Sequence, residues 1–276
     1  MTEGHRVTTR FRALHQRPKI LVMPNPWDIG TAKLLEKLGF EAIATASAAL
    51  AATHGRRDGQ MSREESLLHA RMIVGATDLP VNGDLEKGYG DAPEDVAVTI
   101  RQAMESGLAG CSIEDATGDL ARPLFERGLA VERIRAARAE IDAAGSDFVL
   151  TARCEAYLTG HSEPLKECLE RLAAMAEAGA DVVYACGMAQ PEDIAALVKA
   201  VPRPVNVLGG TGKDPLPLRA LEDLGVKRVS LGPRLFQAAM AGFLGAAREL
   251  RGEGSFGFIK GAPSTREIYD MFEDRA

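Results

Sequence analysis

The chain has 276 residues, 46% hydrophobic and 26% charged, with 28 Gly and 14 Pro. That balance excludes collagen-like, low-complexity and wholly disordered chains, and the length suits one large α/β domain or two small ones. A net charge of −6 and an aromatic content of 5% argue against nucleic acid as a partner. With no apolar run of about 18 residues, no membrane-spanning helix is expected.

The opening segment, MTEGHRVTTRFRALHQRPK, is basic and lacks the apolar centre of a signal peptide, so a cytoplasmic location is expected. Cys111, Cys154, Cys168 and Cys186 are scattered without a CxxC pair and are expected to be reduced, buried thiols.

From residue 20 onward, short apolar runs alternate with amphipathic stretches about eight times. A strand at 20–23 precedes a helix at 29–38, stopped by Gly39. The second strand, 42–45, leads to a helix at 63–74. A third, 80–84, precedes a helix at 93–106 with Gly107 after it. The fourth, 110–114, is followed by a loop and a helix at 131–144, then Gly145. The remaining pairs are 148–153 with 164–178, 181–185 with 191–200, 204–208 with 217–224, and 228–231 with a long helix from about 233 to 251. Pro in a first helical turn loses no hydrogen bond, and Gly past a last turn accepts the left-handed conformation. The apolar runs do not alternate with polar residues, as expected of parallel strands covered on both faces. Eight such units predict a single (β/α)8 barrel over 1–251, with a doubly wound open sheet as the alternative.

Residues 252–276 form a C-terminal extension: a Gly-rich arm, 252–263, then a short helix at 264–273. Ser264 and Glu267 make a capping box, and Ile268, Tyr269, Met271 and Phe272 form an apolar stripe. A helix this short is marginal alone and must bury its stripe on its own barrel or on a neighbour. Exchange between subunits of a homo-oligomer is the expectation.

Barrel enzymes place their chemistry at the C-terminal ends of strands. That rule selects Asn25, Trp27 and Asp28, then Ser47, Asp84 with Glu86, Glu114 with Asp115, and Arg153 with Glu155. Carboxylates at the ends of adjacent strands repel, and a hard divalent cation on oxygen ligands is the simplest way to hold them together. Asp84 and Glu86 would point the same way in a regular strand, and Gly88 and Gly90 permit a tight turn beside a ligand. The competing readings are structural. Acids at strand ends cap helices or pair with bases, Arg153 can be an ion-pair residue, and Asp28 reads as an N-cap. His54 and His161 read as exposed loop residues, without metal-ligand spacing. The GGTG at 209–212 lacks the Lys-Ser/Thr of a phosphate loop.

The segments NGDLEKGYGD, SIED and TARCEAY, at these spacings, resemble the isocitrate lyase/phosphoenolpyruvate mutase superfamily over residues 20–251. The resemblance implies a TIM barrel with Mg2+ (Mn2+ possible) bound at Asp84, and with Glu86 and Glu114 holding the ion mainly through its waters. Glu86 stands where many members have Asp. It further implies substrate contacts from Ser47, Ala48, Gly88 and Arg153, a catalytic part for Arg153, Glu114 and Asp58, and an enolate-like intermediate. Members exchange a C-terminal helix and form dimers of dimers. Two departures bear on the reaction. The loop after the fourth strand, EDATGDLARPLFERGLA, lacks the K-[KR]-C-G-H element of the isocitrate and methylisocitrate lyases. It also lacks the Lys and Asn of the phosphonate enzymes, and Ala185 stands where those place a His after strand six. The expected function is therefore Mg-dependent carbon–carbon cleavage, by decarboxylation or retro-aldol, of a small 2-oxo or 2-hydroxy (di)carboxylic acid. The alternatives are a P–C mutase or hydrolase, a hydroxymethyl transferase, or a non-catalytic binder of 2-oxo acids.

Overall fold

The computed structural model describes residues 3–272. Eight parallel strands lie in the order β1-β8-β7-β6-β5-β4-β3-β2. They are β1 (Leu21–Met23), β2 (Ile43–Ala44), β3 (Val81–Asp84), β4 (Gly110–Glu114), β5 (Val149–Cys154), β6 (Val182–Ala185), β7 (Val205–Leu208) and β8 (Arg228–Ser230). The Ala44 N–H donates to the Pro24 carbonyl at 3.0 Å and draws β2 toward β1, so the sheet is a nearly closed barrel. The open-sheet alternative is thereby excluded.

The surrounding helices are α2 (Ile29–Lys37), α3 (Ser47–Thr53), α4 (Arg63–Val74), α5 (Pro93–Glu105), α6 (Arg127–Ala143), α7 (Pro164–Glu177), α8 (Pro191–Ala200), α9 (Leu218–Asp223) and α10 (Arg234–Glu253). The buried faces of α2 and of α4 to α9 join the strands' outer faces in one core that includes Ile43, Ile73, Ile100, Ile134, Leu150 and Leu172. Helix α3 packs in a separate cluster of Leu50, Ala51 and Met61, and α10, expected as the eighth covering helix, has no buried residue. Asp28 caps α2, accepting from the Thr31 N–H at 2.7 Å. The four cysteines are buried and free.

Helix α1 (Glu3–Leu14) was not anticipated from the basic opening segment. Its Val7, Phe11 and Leu14 recur at helical spacing and cover the starts of the strands, packing on Leu21, Ala42, Ala109, Val149 and Val182. Helix α3 was also unforeseen, and α6 starts four residues before the expected 131. Just past α1, His15 is buried and meets Arg228 on the barrel axis, ring Nε2 to Nη1 at 3.3 Å. Arg228 is itself buried and donates to Asn206 Oδ1 at 2.8 Å and Thr151 Oγ1 at 2.9 Å. Burial first, and the Arg228 charge second, push the His15 imidazole down to about 3, so it is neutral.

The C-terminal elements are different in character. No residue of α10 is buried, and Phe243, Leu244 and Leu250 face outward. The arm carries exposed Phe256 and Ile259, and α11 (Thr265–Asp270) carries the expected Ser264–Glu267 capping box. Beyond α11, Phe272 lies beside Gly30 of the same chain's α2. The last residue of the expected helix, Glu273, lies outside the described residues.

Candidate active site

Asp84 ends β3 and is held from both sides. Its backbone N–H donates to Thr45 Oγ1 at 2.9 Å, while its Oδ2 accepts from the Ser47 N–H at 3.1 Å and the Ser47 hydroxyl at 3.0 Å. Ser47 can do both because it opens α3, where backbone N–H groups have no partner within the helix. Ala48 follows in the same turn. Asn25, at the end of β1, links the neighbours: its amide donates to the Thr45 carbonyl at 2.8 Å and its Oδ1 accepts the Leu231 N–H at 2.9 Å.

Arg153 lies opposite Glu114 in the β4–β5 register. Its Nη1 stands 3.4 Å from Asp84 Oδ1 and 3.3 Å from Glu114 Oε2, and its Nε bonds the Glu155 carboxylate. The guanidinium lies over the Tyr184 ring, 5.4 Å from its centroid. One arginine thus faces a group of acids, and it does not neutralise them. Burial pushes Glu114 up to about 8 against the pull of Arg153, with Glu155, Asp84 and Glu86 adding to the rise. Burial also pushes Glu86 up to about 7, helped by the Asp84 and Asp58 charges. Asp58 is raised too, by burial and by Asp84, with the Ser47 hydroxyl working against the rise.

Glu86 does not reach this group by strand alternation. β3 has already ended, and Glu86 takes φ +49° in the turn that follows, as Tyr89 does at φ +57°. Left-handed conformations of such residues persist only where surrounding contacts enforce them. Gly88 completes the turn at φ +84°, with its N–H donating to Leu85 O at 2.8 Å and its carbonyl accepting from Thr99 Oγ1 at 2.7 Å.

Among the described residues no three acids converge closely enough to chelate an ion by themselves. The site nevertheless suits a hydrated divalent cation. Its donors are all hard oxygens, Glu86 Oε1 is buried with no hydrogen-bond partner, and Glu86 and Glu114 are raised by burial first and by neighbouring carboxylates second, against the pull of Arg153. Mg2+ takes one or two carboxylates directly and keeps several waters. Asp84, Glu86 and Glu114 are the residues that could hold it.

Asp115 points elsewhere: it is buried, paired with Arg171 at 3.4 Å, and accepts the Glu155 N–H at 2.8 Å. The segment after it folds on itself. The Thr117 N–H donates to Pro123 O at 3.0 Å, the Phe125 N–H donates to Asp115 O at 2.9 Å, and an antiparallel bridge joins Ala116 to Leu124. Leu120 at its tip is 97% exposed. His54 and His161 are exposed, as expected.

Thr45 and Tyr184 had not been singled out in the sequence. Both read as ordinary strand residues, and the β2–β3 and β5–β6 pairings set them beside Asp84 and Arg153. The signal available for Thr45 was its place at a strand end, two residues before Ser47.

Residues 11–251 match the family model described as phosphoenolpyruvate phosphomutase. The chain is 31% identical to 2,3-dimethylmalate lyase of Eubacterium barkeri, across 78% of this chain and 76% of that one. A crystal structure from Burkholderia cenocepacia J2315, described only as a lyase or mutase, is 47% identical, with a TM-score of 0.96 and coverage of 99% and 97%. Oxaloacetate acetylhydrolase in complex with its product oxalate is 28% identical, with a TM-score of 0.86 and coverage of 98% and 94%.

Proposed function

The chain belongs to the phosphoenolpyruvate phosphomutase family and is a lyase or mutase of the isocitrate lyase/phosphoenolpyruvate mutase superfamily, and from that premise we propose that it cleaves a carbon–carbon bond beside a 2-oxo or 2-hydroxy acid. The substrate class is a small (di)carboxylic acid, and the bond breaks by decarboxylation or retro-aldol cleavage with Mg2+ or Mn2+ as cofactor. The observation that carries this reading is Arg153 Nη1 set between Asp84 and Glu114 at the mouth of the barrel.

Cleavage next to a carbonyl leaves negative charge on the enolate oxygen. Arg153 donates to that oxygen or to the adjacent carboxylate, and its contacts to Glu114 and Glu155 fix the fork in place beforehand. The backbone N–H groups of Ser47 and Ala48 receive the substrate carboxylate, and Asp58 is the alternative acceptor for the Ser47 hydroxyl once Asp84 moves off it. Asp84, Glu86 and Glu114 would hold a divalent cation, which would supply positive charge to the 2-oxo unit. The pre-folded segment 115–126 carries no Cys or His, so the departing group leaves with little help from it. That favours substrates whose leaving group is stable without a proton, such as carbon dioxide.

The exposed apolar face of α10 and its arm supports a homo-oligomer, a dimer of dimers, in which exchange of the C-terminal helix would trade the contact of Phe272 with α2 of its own chain for the same contact on a partner. Among the described residues no helix is long and apolar enough to cross a membrane, and we place the protein in the cytoplasm. The division at residue 251, barrel before and arm after, is part of the same proposal.

The test is a screen of 2-oxo and 2-hydroxy dicarboxylates with Mg2+, following pyruvate or glyoxylate release. Metal-dependent release that Asp84→Ala abolishes is the expected result. Turnover of a phosphonate instead would establish the mutase reading, which the family model's name favours. Tight binding without turnover would leave a binder of 2-oxo acids.

A further inference from the structure

Glu86 presents a geometric problem. Its Oε1 is buried without a partner, so no side-chain contact at that oxygen aims it. Its backbone lies in a turn between β3 and α5 that belongs to neither, at a left-handed φ. Something must hold that turn.

The carbonyls show what does. Leu85 O accepts from the Gly88 N–H at 2.8 Å and Glu86 O from the Glu114 N–H at 3.0 Å. Gly88 O is bonded by Thr99 Oγ1 at 2.7 Å and Tyr89 O by Arg63 Nη2 at 3.2 Å. The remaining three, Lys87 O, Gly90 O and Asp91 O, all accept from one side chain, Arg133 of α6. Every carbonyl from Leu85 to Asp91 is therefore engaged. Arg133 is 1% exposed, and its guanidinium lies 4.2 Å from the centroid of Phe125, the last buried residue of the segment after β4. From the other side Lys87 donates to Thr117 O of that segment at 2.9 Å.

We propose that Arg133 is the positioning residue for Glu86: it clamps the 87–91 turn through three carbonyls, and through Phe125 it ties that turn to the segment after β4. The proposal rests on the reading above in one respect, that Glu86 serves a divalent cation. The clamp itself does not depend on that reading. A buried guanidinium with neutral acceptors is costly to keep unless its hydrogen bonds are complete. Its planar fork can serve carbonyls in two directions while stacking on an aromatic face, which an ammonium cannot do.

The experiment compares wild type, Arg133→Met, Arg133→Lys and Arg101→Met. The last breaks the Arg101–Glu140 pair between α5 and α6 and leaves the turn alone. Hydrogen exchange reads the 85–91 amides, and calorimetry with Mn2+ alone reads cation affinity. Arg133→Met should speed exchange at 85–91 selectively and weaken Mn2+ binding on the order of 10-fold, as loss of a supporting residue does. Arg133→Lys should fall between, and Arg101→Met should match wild type in both readouts. Unchanged exchange and affinity in the Arg133 variants would overturn the proposal, as would a uniform rise in exchange across the barrel. If Arg133→Met does not fold, Arg133→Lys decides alone. Wild type that binds no Mn2+ would overturn the functional reading instead, with exchange still judging the clamp.

Discussion

Ser47 donates twice to a single oxygen of Asp84, from its backbone N–H at 3.1 Å and from its hydroxyl at 3.0 Å. The other oxygen is left toward Arg153 at 3.4 Å. The carboxylate is therefore aimed by backbone at the start of α3, before any ligand arrives. A substrate carboxylate that took the Ser47 N–H would have to displace Asp84 from it.

Asp84→Ala should abolish both Mn2+ binding and turnover. Calorimetry checks the first, and product release the second. Unchanged cation affinity in this variant would remove Asp84 from the site.

Arg153→Lys should lower kcat/KM by about 100-fold or more. The guanidinium contacts Asp84, Glu114 and Glu155 at once, and one ammonium cannot reproduce that spread. Near-normal kcat/KM would make Arg153 a structural ion-pair residue.

In metal-free protein, stability should fall as pH rises from about 5 to about 8. Glu86 and Glu114 are raised, to about 7 and about 8, so the folded state keeps protons there that the unfolded state has already released. Mg2+ should reverse the loss at the alkaline end, because the deprotonated acids bind it and the unfolded chain does not. Thermal melts at pH 5.5 and 8.5, with and without Mg2+, make the comparison. A Tm without this dependence on pH and metal would contradict the raised values.

His15 carries the opposite sign. The unfolded chain takes up the imidazole proton below about 6.5, and the folded chain only below about 3. Stability should therefore fall as pH drops through that window, by up to about 1.4 kcal/mol per pH unit. Denaturant titrations of wild type and His15→Asn at pH 7, 5.5 and 4 test this, and the stability of the variant relative to wild type should rise as the pH falls.

Phe243→Glu combined with Leu250→Glu should shift the protein from oligomer to monomer in light scattering. Both residues lie exposed on α10, which has no fully buried residue and meets the barrel of its own chain near its start, through Leu235 and Phe236. A wild-type monomer would end the assembly proposal.

The barrel was legible because its punctuation is local. Gly39, Gly107, Gly145, Gly179 and Gly225 each follow a helix and each adopt positive φ. Helix α3 was not legible, because SAALAAT offers small residues without an amphipathic period. The acids of the site could be read from strand ends, but their surroundings could not. Arg133 sits in an amphipathic helix, where an arginine reads as solvent-facing, and only the approach of the 87–91 turn buries it. Glu86 seemed placed by strand pleating, whereas a turn places it.

The segment after β4 is closed by its own bridge and by the Lys87 bond to Thr117. A covering loop that orders anew in each cycle gives up conformational entropy every time, and its closure is slowed by friction with the solvent. Here that ordering is complete before substrate binds. Ordering of this segment should consequently add no viscosity-dependent step of its own, so that added sucrose or glycerol slows turnover no more than it slows the diffusion of substrate and product.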